Sequence, residues 1–138
     1  MTDVDLIEKK LAFIETCLRQ LRDLCQPERI PVDIREERFA AHTLQIAIQA
    51  VQDVASHIVS EGRLGEPETN SALFDLLCAN GWLDPELSGM IQRMIGFRNI
   101  VVHGYQHLNP IILQDLVVNR LDDLLAFTSA IRSRLRDS

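Results

Sequence analysis

Apolar residues recur at three- and four-residue steps along nearly all of this 138-residue chain, and that regularity restricts the fold more than any other feature. Such spacing marks one face of an α-helix, whereas strands would show strict alternation or Val/Ile/Thr-rich runs bounded by turns, and neither occurs. The pattern predicts an all-α, up-and-down bundle of about five helices, with 1–138 as a single domain. A first helix is expected from about Asp3 to Leu24, with Leu6, Leu11, Ile14, Leu18, Leu21 and Leu24 on one face, before Pro27 and Pro31. A second, about Asp33 to Ser60, aligns Leu44, Ala47, Val51, Val54, Ala55 and Ile58 until Gly62 and Gly65 interrupt it. A short third helix, about Asn70 to Ala79, opens on the capping residues Thr69 and Asn70 and closes on Asn80-Gly81, with Trp82 packed beneath the turn. The fourth has Asp84 as N-cap and Pro85 at its first position, carries Met90, Ile91, Met94 and Val101, and runs towards Gly104. Asn109-Pro110 repeats that start signal for a fifth helix, about Ile111 to Leu135, with Leu113, Leu116, Val117, Leu121, Leu124, Leu125 and Ala126 as its apolar positions.

Composition narrows the class. Apolar residues at 46 % and charged residues at 25 % are ordinary globular values and suggest neither disorder nor a membrane protein. No apolar run approaches the roughly 20 residues of a spanning helix, and the opening residues lack a signal-peptide pattern, so a cytoplasmic protein is expected. Cys17, Cys25 and Cys78 are odd in number and lack C-x-x-C spacing, which reads as buried thiols rather than disulfides or a zinc site. A net charge of −6 opposes non-specific attraction to phosphate, so a nucleic-acid-cleaving site would need a local cationic cleft.

Chemistry concentrates in the fourth helix, in Phe97-Arg98-Asn99-Ile100-Val101-Val102-His103-Gly104-Tyr105. Arg98 lies four positions after Met94 and seven after Ile91, so a guanidinium falls on the helix's apolar stripe, costly unless something pairs with it. An ideal helix points Arg98 and His103 apart, while Asn99 and His103 share a face. Gly104 and Asn109-Pro110 suggest that the helix ends near His103, freeing the ring to approach the arginine, and a symmetric dimer would bring a second such set to the same groove. These groups suit metal-free RNA cleavage by attack of the 2′-hydroxyl on its neighbouring phosphate. Histidine moves protons near neutral pH, and arginine neutralises the charged transition state. Asn99 could orient either partner.

The spacing R-x-x-x-x-H-x-Y resembles the signature of HepT proteins, the toxin half of HepT/MNT toxin–antitoxin modules in the HEPN superfamily. Arg38-Phe39 at the entry to helix two, Leu44-Gln45-Ile46-Ala47-Ile48-Gln49 and Asp53-Val54-Ala55-Ser56-His57-Ile58 look like the same family. The resemblance implies a homodimeric helical ribonuclease acting on mRNA or tRNA, with Arg98 and His103 as catalytic residues at the dimer interface. It also implies a cognate nucleotidyltransferase antitoxin that silences the enzyme by transferring AMP from ATP onto Tyr105. Added bulk and phosphate charge would obstruct a cleft made for RNA.

Plainer readings stand beside these. Arg98 could be buried against a carboxylate, His103 could cap a helix C-terminus, and Tyr105 could be a core aromatic. His103 and His107 have the four-residue spacing of a metal pair, but Gly104, Asn109 and Pro110 argue against continuous helix, and no Glu-x-x-His supplies carboxylates, so neither metal nor cofactor is expected. Asp53 and His57 could line the cleft, though an ordinary ion pair or hydrogen bond is the simpler role. Met90 and Met94 read as core filler, and the Arg132, Arg134 and Arg136 tail as cations suited to a helix C-terminus. The competing functional class is a non-catalytic helical module that binds a nucleotidyltransferase and assists its substrate recognition. A purely structural dimerisation bundle is a third.

Overall fold

The computed structural model describes residues 3–103 and 109–137, and among them finds six α-helices, one 3-10 turn and no strand. The helices are α1 (Val4–Leu24), α2 (Ile34–Gly62), α3 (Ala72–Ala79), α4 (Pro85–His103), α5 (Pro110–Asn119) and α6 (Leu121–Arg136), with the 3-10 turn at Pro27–Arg29.

Caps explain where most helices begin. Asp3 accepts from the Leu6 N–H at 3.1 Å, Asp33 from Arg35 at 2.9 Å, Asp84 from Leu87 at 2.7 Å and Asn109 from Ile111 at 2.8 Å. The Arg35 N–H holds the Asp33 carboxyl below its ordinary range. Thr69 serves α3, accepting from the Ala72 N–H at 3.1 Å. That helix ends in a Schellman arrangement: Gly81, at φ 82°, donates to the Cys78 carbonyl and Trp82 to the Leu77 carbonyl. Trp82 then packs partly buried against the core, with the Arg134 guanidinium carbon 5.1 Å from its ring centre.

α1 and α2 form the most extensive helix pair, antiparallel, as the Lys10–Asp53 ion pair and the hydrogen bond from the Gln26 amide to Glu36 show. The core runs along both. α2 buries all six expected stripe residues, whereas α1 turns Ile7 and Cys17 inward and leaves Leu6 and Leu24 exposed, contrary to expectation. Each large aliphatic removed from water contributes roughly 1.5–3 kcal/mol, so this face dominates the hydrophobic stabilisation.

The expected fifth helix is in fact two. At Arg120 (φ −118°, ψ 0°) the ladder pauses: Arg120 donates to the Leu116 carbonyl while its own carbonyl accepts from Asp123. The break lets α5 pack on α2 and the 3-10 turn while α6 packs on α1 and α4. Leu113, Val117, Leu121, Leu124, Phe127 and Ile131 keep an unbroken buried line across it, and Ala126 points outward. Arg132 clamps α6 to α1, contacting Glu15 through both terminal nitrogens at 2.7 and 2.8 Å and Glu8 through Nε at 3.0 Å.

Candidate active site on the fourth helix

The first three turns of α4 are held firmly, which matters because the functional string follows them on the same helix. Ile91, Met94, Ile95 and Phe97 are buried, the first fully. Ser88, also buried, donates to the Phe74 carbonyl at 3.1 Å, while the Gln92 side-chain amide donates to Asp75 at 2.9 Å and to the Ser88 hydroxyl at 3.1 Å. α3 and the core thus fix the axis and rotation of α4 before it reaches position 98, the support a preorganised site needs.

Arg98, Asn99 and His103 all lie on helical backbone, with His103 at the last position of α4. The register puts position 98 in line with the buried Ile91 and Met94, and positions 99 and 103 one turn apart on a common face. Five residues of ideal helix separate the directions of 98 and 103 by about 140°. How their side chains are oriented lies outside the described residues, as do Tyr105 and His107 altogether.

A cavity of about 200 Å³ opens beside α4, lined by Met90, Arg93, Met94, Asp115, Leu116 and Arg120. It sits one turn before position 98 on the Met94 side, and Arg93 and Arg120 give it two cations that sequence reading had not singled out. Arg93 precedes Arg98 by five residues, a weak signal; Arg120 joins it only through the packing of the α5–α6 junction. Arg120 also lies 3.8 Å from Asp123.

The remaining candidates resolve towards structure. Asp53 accepts from Lys10 at 3.4 Å and from the Gln49 amide at 3.0 Å, an ordinary ion pair and hydrogen bond, but with α1 and the preceding turn of its own helix rather than with His57 as the four-residue spacing had suggested. His57 is half-buried on α2, and its Nε2 finds no hydrogen-bond partner among the described residues. Arg132 and Arg134 of the tail are engaged with α1 and with Trp82. Among the described residues no group of three or more His, Cys, Asp or Glu could hold a metal ion. Burial raises the thiol of Cys17, and burial followed by the charge of Glu36 pushes that of Cys25 up to about 11, so both are poor nucleophiles.

Comparison with known proteins agrees with this architecture. The profile of the HepT-like family, described as "Ribonuclease HepT-like", matches residues 14–131. The mRNA nuclease HepT of Shewanella oneidensis is 31 % identical over 130 residues, covering 94 % of this chain and 98 % of the relative. The tRNA nuclease HepT of Aphanizomenon flos-aquae is 31 % identical over 117 residues, covering 80 % of this chain and 78 % of the relative. A solved structure of the tri-AMPylated Shewanella oneidensis HEPN toxin in complex with its MNT antitoxin superposes with a TM-score of 0.87 at 30 % identity, covering 96 % and 99 % of the two chains. With its helical order, its R-x-x-x-x-H-x-Y string, whose arginine and histidine positions lie in the last turns of α4, and a match over most of its length, the chain belongs to the HepT-like ribonuclease family.

Proposed function

We propose that the chain is a toxin endoribonuclease that cuts mRNA or tRNA without a metal, using Arg98 and His103 as its catalytic pair. The observation that carries this reading is the Arg98-to-Tyr105 string, six helical residues of which end a firmly anchored α4, in a chain of the HepT-like ribonuclease family. In the reaction the ribose 2′-oxygen forms a bond to the adjacent phosphorus as its proton leaves, and the bond to the 5′-oxygen breaks as that oxygen gains a proton. The products are a 2′,3′-cyclic phosphate and a free 5′-hydroxyl.

His103 serves the proton transfers, because an imidazole titrates near neutral pH. Arg98 serves the charge: its forked donors stay ionised and match the equatorial oxygens of the transition state, where neutralisation lowers the barrier most. Asn99, one turn before His103 on the same face, orients the imidazole. The angular separation of positions 98 and 103 favours a homodimer in which two strings share one groove, so that each phosphate meets an arginine and a histidine.

The proposed partner is an MNT-type nucleotidyltransferase antitoxin. It silences the toxin by forming a phosphoester between the Tyr105 hydroxyl and the α-phosphate of ATP, with release of pyrophosphate. The added nucleotide places bulk and negative charge where RNA phosphate would sit. The reading places the protein in the cytoplasm, with its RNA substrates. No described helix is long and apolar enough to cross a membrane.

The primary test is RNA cleavage by purified protein with and without chelator. Cleavage should survive chelation and vanish in His103→Ala while helicity stays unchanged; equal cleavage by wild type and variant would remove the enzyme assignment. In a separate test, intact mass should rise by AMP units when the chain is incubated with the nucleotidyltransferase and ATP. Tyr105→Phe should abolish that rise, and modification of the variant would move the acceptor elsewhere.

A further inference from the structure

We propose that the cavity between α4 and the α5–α6 junction is a guanine subsite, which holds the base next to the phosphate to be cut. The proposal deepens the nuclease reading above and rests on it for the presence of RNA.

The cavity measures about 200 Å³ and is lined by Met90, Arg93 and Met94 of α4, Asp115 and Leu116 of α5, and Arg120 at the junction. Pockets for drug-sized ligands run to roughly 300–1,000 Å³, so the occupant is a fragment the size of one ring system. Met90, Met94 and Leu116 supply an apolar, polarisable wall against which a flat base packs. Met94 is 3 % exposed and belongs to the core, so that wall is fixed before any ligand arrives.

The polar groups keep unused hydrogen-bonding capacity. Arg93 donates to the Met90 thioether at 3.1 Å, a weak acceptor, and has no ion pair among the described residues. Arg120 has its ion pair with Asp123 at 3.8 Å, beyond hydrogen-bond distance. Asp115 accepts from the Asn119 amide through Oδ1 at 2.6 Å, which orients the carboxylate and leaves Oδ2 without a partner among the described residues.

Charge and geometry select a base over a phosphate. Arg93 and Arg120 are matched by Asp115 in the cavity and Asp123 beside it, so there is no excess positive charge to draw an anion. What the cavity offers is a forked donor and a carboxylate acceptor side by side. Guanine answers both: its O6 and N7 accept from an arginine, while its N1–H and 2-amino group donate to a carboxylate. Adenine and cytosine lack a two-donor edge, and uracil has no amino group.

Position ties the cavity to the chemistry. Position 98 follows Met94 by four residues of helical backbone, about 6 Å further along the axis on the same side of α4. A base seated against Met94 brings its ribose and phosphate towards the arginine position.

The test is fluorescence anisotropy with 2′-O-methyl RNA hexamers, which bind but cannot be cut because the attacking hydroxyl is blocked. Wild type should bind a uridine hexamer with one central guanosine at least about 10-fold more tightly than those with adenosine, cytidine or uridine there, towards the lower end of what a bidentate base contact gives. Asp115→Asn keeps an acceptor for Asn119 and should reduce that ratio below about 2-fold, as should Arg120→Met, whereas His103→Ala should preserve it. An inosine hexamer, lacking only the 2-amino group, puts the same question to the unaltered protein and should bind at least about 5-fold more weakly than guanosine. Equal binding of all hexamers, no binding, preference for another base, a ratio that survives Asp115→Asn, or inosine bound as tightly as guanosine would each overturn the proposal. Inorganic phosphate displacing the guanosine hexamer as well as guanosine monophosphate does would also overturn it, by showing an anion site. Cleavage of unmodified RNA is scored separately. Selective binding without cleavage removes the nuclease reading and keeps the subsite, and cleavage without base preference does the opposite.

Discussion

The C-terminus of α2 carries a conformational mismatch whose removal should stabilise the protein by a calculable amount. Arg63 adopts φ 50°, ψ 48°, the only left-handed non-glycine among the described residues, while Gly62 beside it occupies the last helical position. The left-handed conformation costs an ordinary side chain roughly 1–2 kcal/mol, and glycine escapes that at an entropic cost of roughly 0.5–1 kcal/mol, leaving a net gain of about 0.5–1 for Arg63→Gly. At position 62 alanine is favoured over glycine in a helix by about 0.8–1.0 kcal/mol. The new Cβ would approach the Leu64 side chain to 3.2 Å, and shifting that flexible end costs about 0.5 kcal/mol of this gain. Gly62→Ala with Arg63→Gly should therefore gain about 1 kcal/mol, which for a chain of this length raises Tm by about 3–4 °C. The capping bonds, Arg63 N–H to Ser60 and Leu64 N–H to Val59, are backbone and survive the exchange. Thermal unfolding followed by far-UV circular dichroism, at matched protein concentration because association shifts Tm, is the assay. A double variant that melts at or below wild type would refute the strain argument; a rise for Gly62→Ala alone, with none for Arg63→Gly, would assign the whole effect to helix propensity.

Three further outcomes follow from the same structure. Phe127→Ala should cost about 3–5 kcal/mol in urea unfolding, because the fully buried ring meets Phe74 edge-on at 6.3 Å and leaves a cavity when removed. The Arg132 hydrogen bonds hold the Glu15 carboxyl below its ordinary value near 4.5, so their stabilisation is present above that pH and lost as pH falls through the lowered value; Arg132→Met should flatten this acid limb, and an unchanged limb would exclude Glu15 as its source. Alkylation at pH 8 should modify Cys78 well before Cys25, whose thiol is pushed up to about 11, as peptide mass mapping would reveal.

Most of the fold was legible because its determinants are local. Asp3, Asp33, Asp84 and Asn109 each announce a helix through a side chain that bonds an amide two or three residues on, and all four do so. The failures share one cause. The division at Arg120 involves neither proline nor glycine; it reflects different packing partners on either side, and the apolar line from Leu113 to Ile131 runs through it undisturbed. Leu6 and Ile7 are equally apolar, so only contact with α2 and α6 decides which turns inward. Gly62 announced a stop correctly but not which residue would take the left-handed turn.

The candidate site divides along the same line. Arg98, Asn99, His103 and Tyr105 could be singled out because their chemistry is written in one short stretch, and position 98 stands out further by interrupting the register of Ile91 and Met94. Arg120, by contrast, enters the cavity beside α4 from an element 22 residues beyond position 98, and no spacing rule reaches that far. The outer face of α5 shows the limit from the other direction. Its run Ile-Ile-Leu-Gln-Asp-Leu-Val-Val was plain in the sequence, but a surplus of apolar residues identifies what must be buried without saying against what. Only the packed bundle decides that Leu113 and Val117 are covered while Ile111, Ile112 and Val118 stay in water.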